Sequence, residues 1–316
     1  MAPLPPSTAP RPAAIPASGP APRGWWRRNQ IAITPWLFLA PGILFFAIYV
    51  LIPVFQSFNV SLYDWDGLGE AEYVGLANYE EMYWDDAFYT SLRNNLIWLV
   101  LYLLAIPMGL AIALFLNQTV TGIRIYKSLF FFPFVISQVV VGLVFSWFYD
   151  PSFGLLNVML GWFGAGPINV LGDERWVTYG IIAAGLWPQT AYCMILYLTG
   201  LNAVDPEQIE AGRLDNAKGF RMLWHIILPQ LRPATFIAFV VTIIGALRSF
   251  DLISIMTAGG PFGESRVLSF YMFEVALSEY GFRMGYGAAI AVVLFLIMLV
   301  FITYFLWSMY REERGR

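Results

Sequence analysis

DPEQIEAGRLDNAKGFRMLWHIILPQLRP, residues 205–233, is a charged, helix-prone stretch set between two long apolar runs. A link between two apolar helices needs only a few turn residues. This one carries a helix start, a stop and a second amphipathic stretch, which makes it a candidate docking surface. Asp205 suits a cap, Pro206 the first helical position, and Gln208 completes a capping box. Asn216 is the expected stop, because Asn tolerates the left-handed conformation better than most residues with a Cβ. A second helix is expected over residues 218–227, ending before Leu228-Pro229.

Outward from this stretch, six apolar runs are long enough to cross a bilayer, which takes about 20 helical residues. They lie near residues 36–55, 96–116, 129–148, 177–198, 234–256 and 286–307. Pro41, Pro107, Pro133 and Pro188 fall inside them, as membrane helices tolerate when neighbours satisfy the freed backbone. The composition agrees: 59% of the 316 residues are hydrophobic, 12% are charged, and mean hydropathy is +0.63. A net charge of −3 carries no nucleic-acid footprint. One Cys and one His exclude an intrachain disulfide and argue against a Cys/His zinc site.

Basic residues orient the chain. With the N-terminus in the cytoplasm, thirteen of the 18 Lys and Arg fall inside, among them Arg27, Arg28, Arg124, Lys127, Arg213, Lys218 and Arg221. Arg93, Arg175, Arg266 and Arg283 fall outside, and Arg248 lies within a run. The positive-inside rule therefore puts both termini and the 205–233 stretch in the cytoplasm. Residues 1–30, rich in Pro and Ala, are expected to be a disordered tail, 31–310 a six-helix transmembrane domain with its loop at 205–232, and 311–316 a second tail. The first outer loop is acidic, with Asp64, Asp66, Glu70, Glu72, Glu80, Glu81, Asp85 and Asp86. It reads either as a solvated face or as part of a contact surface for a binding protein.

The central stretch resembles the EAA loop of permease subunits in ABC importers, whose typical form is Glu-Ala-Ala, three residues, Gly-Ala, then Ile-x-Leu-Pro. Glu210-Ala211-Gly212, Asp215-Asn216-Ala217, Ile226, Leu228 and Pro229 fall at the matching offsets. Gly212 replaces the second Ala, removing a methyl that the family may pack against its ATPase, and Asn216 replaces the Gly. Further matches are Val74-Gly75-Leu76-Ala77-Asn78-Tyr79 with Arg93-Asn94-Asn95, Asp150-Pro151 with Gly154-Leu155-Leu156-Asn157, and Thr257-Ala258-Gly259-Gly260-Pro261. The last is typical of maltose-permease-like carbohydrate importers, and of the first of their two paired permeases.

The chain has two lysines and no Gly-Lys pair, so it holds no Walker A site of its own. In the fifth run, Thr242, Gly245, Ala246 and Ser249 recur at helical spacing. They form a small, partly polar face suited equally to helix contact or to lining a solute path. The resemblance implies the second, and adds Tyr192 and Gln189 from the fourth run. Arg248 and Asp251 are three apart and could neutralise each other, or Arg248 could meet a polar group of the solute.

The expectation is an all-α integral membrane protein of six spans with a type I ABC importer core and a cytoplasmic coupling helix, in a bacterial inner membrane. The resemblance implies a non-enzymatic permease subunit of a binding-protein-dependent importer, for a sugar or sugar derivative. Its implied partners are the bilayer, a second permease in a heterodimer, two ATPase subunits that hold ATP and Mg, and an extracytoplasmic substrate-binding protein. The alternative is an ion-coupled secondary transporter with Arg248 and Asp251 as its relay.

Overall fold

The computed structural model describes residues 25–118, 121–278 and 282–314, and divides into two units, Met1–Phe55 and Gln56–Arg316. In the first, α1 (Trp25–Phe46) runs into a wide π-helical turn, Ala47–Leu51, and then into α2 (Ile52–Val60). No described side chain of residues 31–55 is buried. The wide turn stands just before Pro53. A proline ring collides with the carbonyl four residues back, and widening the preceding turn relieves that collision. The helix already runs at Trp25, inside the stretch 1–30 expected as a tail; residues 1–24 of that stretch lie outside the described residues.

The second unit opens on a small hairpin, β1 (Tyr63–Asp64) antiparallel to β2 (Glu72–Tyr73), and a short α3 (Ala77–Tyr83). Then follow α4 (Asp86–Tyr102), α5 (Ala105–Leu116), α6 (Ile123–Val135), α7 (Gln138–Phe148), α8 (Leu155–Trp162) and α9 (Val177–Asn202). The 205–233 stretch holds α10 (Pro206–Leu214), α11 (Phe220–Met222), a second wide turn at Leu223–Ile227, and α12 (Leu228–Gln230). Beyond it come α13 (Arg232–Leu247), α14 (Asp251–Met256), α15 (Leu268–Leu277) and α16 (Met284–Arg314). The proposed C-terminal tail is therefore partly helical, since α16 continues past residue 311.

By length and composition, four helices can cross a membrane: Ile31–Val60, Asp86–Leu116, Val177–Asn202 and Met284–Arg311. Two bent pairs raise the number to six if each counts as one span. The third expected run is such a pair: α6 and α7 meet at 100°, where Ile136 and Ser137 are extended and the Ser137 side chain caps α7 through the Val140 N–H. The fifth run also departs from expectation. Instead of one helix over 234–256, α13 stops at Leu247 and α14 starts at Asp251. The freed groups find partners: the Ser249 hydroxyl donates to the Gly245 carbonyl at 3.1 Å, and Ser269 of α15 donates to the Ser249 carbonyl.

The centre of this unit is α9. Gly109 of α5 presses so closely against it that a Cβ would stand 2.7 Å from the Met194 nitrogen, so only glycine fits that approach. Toward one end, Trp98, Tyr102, Ile181, Leu252 and Phe270 pack together; toward the 205–233 end, Ala105, Cys193, Tyr197, Leu201 and Leu231 do so. A third cluster joins Met82, Phe88, Ile243, Leu268 and Ile290.

The motifs outside the central stretch bind their own loops. Asn94 donates to the Glu264 and Arg266 carbonyls at 2.6 and 2.8 Å, and Asn95 Oδ1 accepts from the Leu268 N–H at 2.8 Å. Arg93 pairs with Glu264 at 2.7 Å. Arg93-Asn94-Asn95 thus grips the segment that follows Thr257–Pro261. Asn157 clasps the Asp150 carbonyl and both backbone groups of Ile168. The acidic first loop is not uniformly solvated. Asp85 caps α4 and accepts from Tyr271 and Tyr286, Glu81 pairs with Arg283 at 2.6 Å, and two backbone N–H groups hold Asp66 below the usual carboxylate range. Asp64, Glu70, Glu72, Glu80 and Asp86 are exposed.

Candidate docking loop and solute cavity

The loop begins at Asp205, whose side chain accepts from the Glu207 N–H at 2.9 Å, with Pro206 in the first helical turn. The expected capping box is incomplete. Gln208 reaches the Asp205 side chain at 3.4 Å, whereas the Asp205 N–H goes to Gln230 Oε1 at 2.9 Å, 25 residues on. The other end of that amide donates to the Ile226 carbonyl at 3.0 Å. One side chain therefore ties the start of the loop to its finish.

Asn216 does stop α10, at φ +60°. The Asn216 N–H bonds the Arg213 carbonyl and the Ala217 N–H bonds the Gly212 carbonyl at 2.8 Å, the paired closure of a Schellman motif, with Ala217 buried beneath it. The second stretch does not end at residue 227. It runs on as α12 through Pro229, again by means of a wide turn one step before the proline.

Gly212 faces inward, contrary to the expectation that its missing methyl concerns a partner. It is buried, and a Cβ there would strike Ile226 Cδ1 and approach Met222. Glu210, Ala211, Asp215, Asn216 and Pro229 are exposed, and Leu228 is half-buried. Beside them stand apolar residues not singled out in the sequence: Leu214 is 89% exposed, Phe220 72% and Trp224 55%, with the last two rings stacked at 5.7 Å. Their spacing, 220 and 224 on one helical face, is the signal that could have found them.

A cavity of about 320 Å³ lies among α4, α7, α9, α13 and the break after α13. Of the eight candidate solute-path residues, Gln189, Gly245, Arg248, Ser249 and Asp251 line it. Thr242 lies behind the wall, fully buried, accepting from Gln189 Nε2 at 2.8 Å. Ala246 is in the core, and Tyr192 turns its ring to Phe134 at 5.3 Å. The supposed shared face divides within α13 itself: Thr242 and Ala246, one turn apart, face the core, while Gly245 and then Ser249 face the cavity. The break after α13 separates Arg248 from Asp251: both are exposed, and no ion pair joins them among the described residues. Tyr102, Gln138 and Phe250 also line the cavity. Gln138 was legible as a lone amide in an apolar run; Tyr102 and Phe250 carried no such signal.

Two helices connect the loop to the cavity. The loop is flanked by α9 and α13, and each brings a lining residue, Gln189 or Gly245, about 20 Å along its helix at 1.5 Å per residue. An exposed loop braced against itself, between two helices that wall a polar cavity, is suited to passing motion from one to the other.

The chain is 35% identical over 283 residues to a probable ABC transporter permease protein of Pyrococcus horikoshii, covering 88% of this chain and 96% of that one. It is 33% identical over 290 residues to the alpha-glucoside transport system permease protein AglF of Rhizobium meliloti, covering 90% and 83%. Its fold matches a chain of a bacterial ABC transporter involved in the import of the acidic polysaccharide alginate, with a TM-score of 0.78 at 22% identity over 90% of this chain and 98% of that one. The family described as binding-protein-dependent transport system inner membrane component matches residues 105–310, and the chain belongs to that family.

Proposed function

We propose that this chain forms half of the translocation path of an ATP-driven sugar importer, and that residues 205–232 are its coupling loop. The observation that carries the proposal is the loop itself. Asp205, Gln230 and the turn at Asn216 brace it within the chain, yet Leu214, Phe220 and Trp224 stay exposed beside Glu210 and Asp215. An exposed apolar set with a charged rim marks a protein contact. The occupant is a separate ATPase subunit, which holds ATP and Mg; a second permease completes the path, and a binding protein delivers the solute from outside. The six-span reading takes α6 with α7 as the third crossing and α13 with α14 as the fifth, with both termini cytoplasmic and the loop on the ATP side. The sugar assignment rests on the carbohydrate named for relatives such as AglF.

In this mechanism closure of the ATPase pair swings the loop, α9 and α13 follow, and the cavity changes the side it faces. Solute leaves the binding protein for the cavity, and hydrolysis resets the helices. No bond of the solute breaks.

The test is capture of the cognate ATPase by the full permease pair in detergent, with uptake measured in parallel. Glu210→Arg combined with Leu214→Asp is expected to reduce capture at least thirtyfold, about 2 kcal/mol or more for central contact residues. It should leave membrane insertion intact. Capture and uptake at the level of the unmodified chain would remove the loop from the ATPase contact. Uptake by the permease pair alone, driven by an ion gradient, would favour the secondary-transporter alternative.

A further inference from the structure

The polar groups around the cavity have spent their hydrogen-bonding capacity unevenly. Gln189 Nε2 is committed to Thr242, which leaves its Oε1 able to accept. The Ser249 hydroxyl proton is committed to the Gly245 carbonyl, leaving only lone pairs. Asp251 offers a carboxylate with no ion pair among the described residues. Gln138 Oε1 is buried and has no hydrogen-bond partner among the described residues. Against these acceptors the wall sets two donors, the Arg248 guanidinium and the Gln138 amide N–H group.

We infer that Gln138 reads the solute directly, and that the cavity takes a neutral, hydroxyl-rich solute in preference to an acidic one. This rests on the reading of the cavity as the solute path. Gln138 is the first residue of α7, directly after the 100° bend, and the capping Ser137 fixes its backbone. Its terminal amide turns about a broad, shallow torsion, so the orphaned oxygen can swing to a donor that enters. A buried amide oxygen without a donor is unfavourable until one arrives. A sugar hydroxyl supplies that donor, and its own oxygen can accept from Arg248. A carboxylate group supplies acceptors only. It would meet Arg248 favourably, but it faces Asp251 with like charge and, where it replaces a hydroxyl, offers no donor to Gln138 Oε1 or Gln189 Oε1.

The experiment uses the complete importer in liposomes, with its second permease, ATPase and binding protein. The neutral probes are labelled maltose, trehalose and raffinose, and the acidic probe is a labelled oligouronate of matching length. Uptake is read per ATP hydrolysed and per permease in the membrane, so that a folding defect does not register. At least one neutral probe is expected to be carried, and the oligouronate to be carried at least tenfold less well. Gln138→Leu should lower neutral uptake per ATP about three- to tenfold, the worth of one hydrogen bond. Gln138→Glu, which keeps the acceptor, should lose less. The inference is overturned if the oligouronate is carried as well as the neutral probes, if no neutral probe is carried, or if Gln138→Leu matches the unmodified importer. Stimulation of ATP hydrolysis by the binding protein reports on the importer reading separately. It persists if only the inference fails, and is absent if the importer reading itself fails.

Discussion

The docking loop and the cavity use opposite strategies with the same kinds of residue. In the loop, polar side chains are consumed internally: Asp205 caps α10, Gln230 spans two segments, Asn216 turns the chain, and apolar rings are left outside. At the cavity, two helices are interrupted, apolar side chains fill the core behind, and polar groups are left with unused capacity. In the proposed mechanism the first is a stiff lever whose exposed rings meet a protein partner. The second is a set of groups that awaits a small polar one. Substitutions in the lever should therefore alter coupling whatever the solute, and substitutions at the cavity should alter uptake while ATP hydrolysis by the assembled complex continues.

The largest effect on the lever, after loss of its exposed contacts, is expected from Gly212→Leu. Any Cβ at this position meets Ile226 Cδ1, and a Leu side chain must also displace Met222. Overpacking of this kind costs about 1–3 kcal/mol and shifts backbone, so ATPase capture should fall at least tenfold. Adding Ile226→Ala opens the space and should restore much of it. A double variant no better than Gly212→Leu alone would mean that residue 212 meets the partner after all, and that the loop is less self-contained than its geometry indicates.

Gln230→Leu comes next. It deprives the Asp205 N–H and the Ile226 carbonyl of their partner, 25 and four residues away. Leaving such groups unsatisfied costs about 1–3 kcal/mol where they are buried, and less here because the contact is half-buried. The two halves of the loop should separate more readily, seen as faster proteolysis between residues 214 and 220 and as more ATP hydrolysed per solute carried. Gln230→Glu keeps the acceptor for Asp205 and loses the donor, and should fall between. An unchanged ratio of hydrolysis to uptake in both variants would show that the lever is stiff without this clasp.

Much of the lever was legible because its determinants are local. A cap, a proline and an Asn stop act over four or five residues, and their offsets are visible in a single stretch. The non-local share was not: the Gln230 contact with Asp205 and the inward aspect of Gly212 depend on how the second stretch folds back. The cavity was less legible for the same reason. Of Thr242, Gly245, Ala246 and Ser249, which pair faces the cavity and which the core depends on what packs against the helix, and the helix itself stops at Leu247. That stop is made possible by Ser269, twenty residues on, which accepts the burden of the Ser249 carbonyl. Nothing near residue 248 announces a helix end, with neither Pro nor Gly between 246 and 258. Four of the six apolar runs, near residues 36–55, 96–116, 177–198 and 286–307, do fall on helices of membrane length, because length and hydropathy are properties of the run itself; the third and fifth runs are interrupted.

The smallest expected effect is the sharpest test of how the lever divides its residues between self-bracing and partner contact. Asn216 holds φ +60°, which glycine adopts without a Cβ penalty and Asn tolerates at modest cost. Asn216→Gly relieves that cost in the folded loop and adds freedom to the unfolded chain, two terms of similar size and opposite sign. The net change in stability should stay within about 0.5 kcal/mol, with capture and uptake unaltered. Asn216→Val at the same position forces a β-branched residue into the left-handed region and should cost about 1–2 kcal/mol. If Asn216→Gly weakens ATPase capture at unchanged thermal stability, the exposed amide of residue 216 is a contact group as well as a stop. The boundary between bracing and docking then runs through a single side chain.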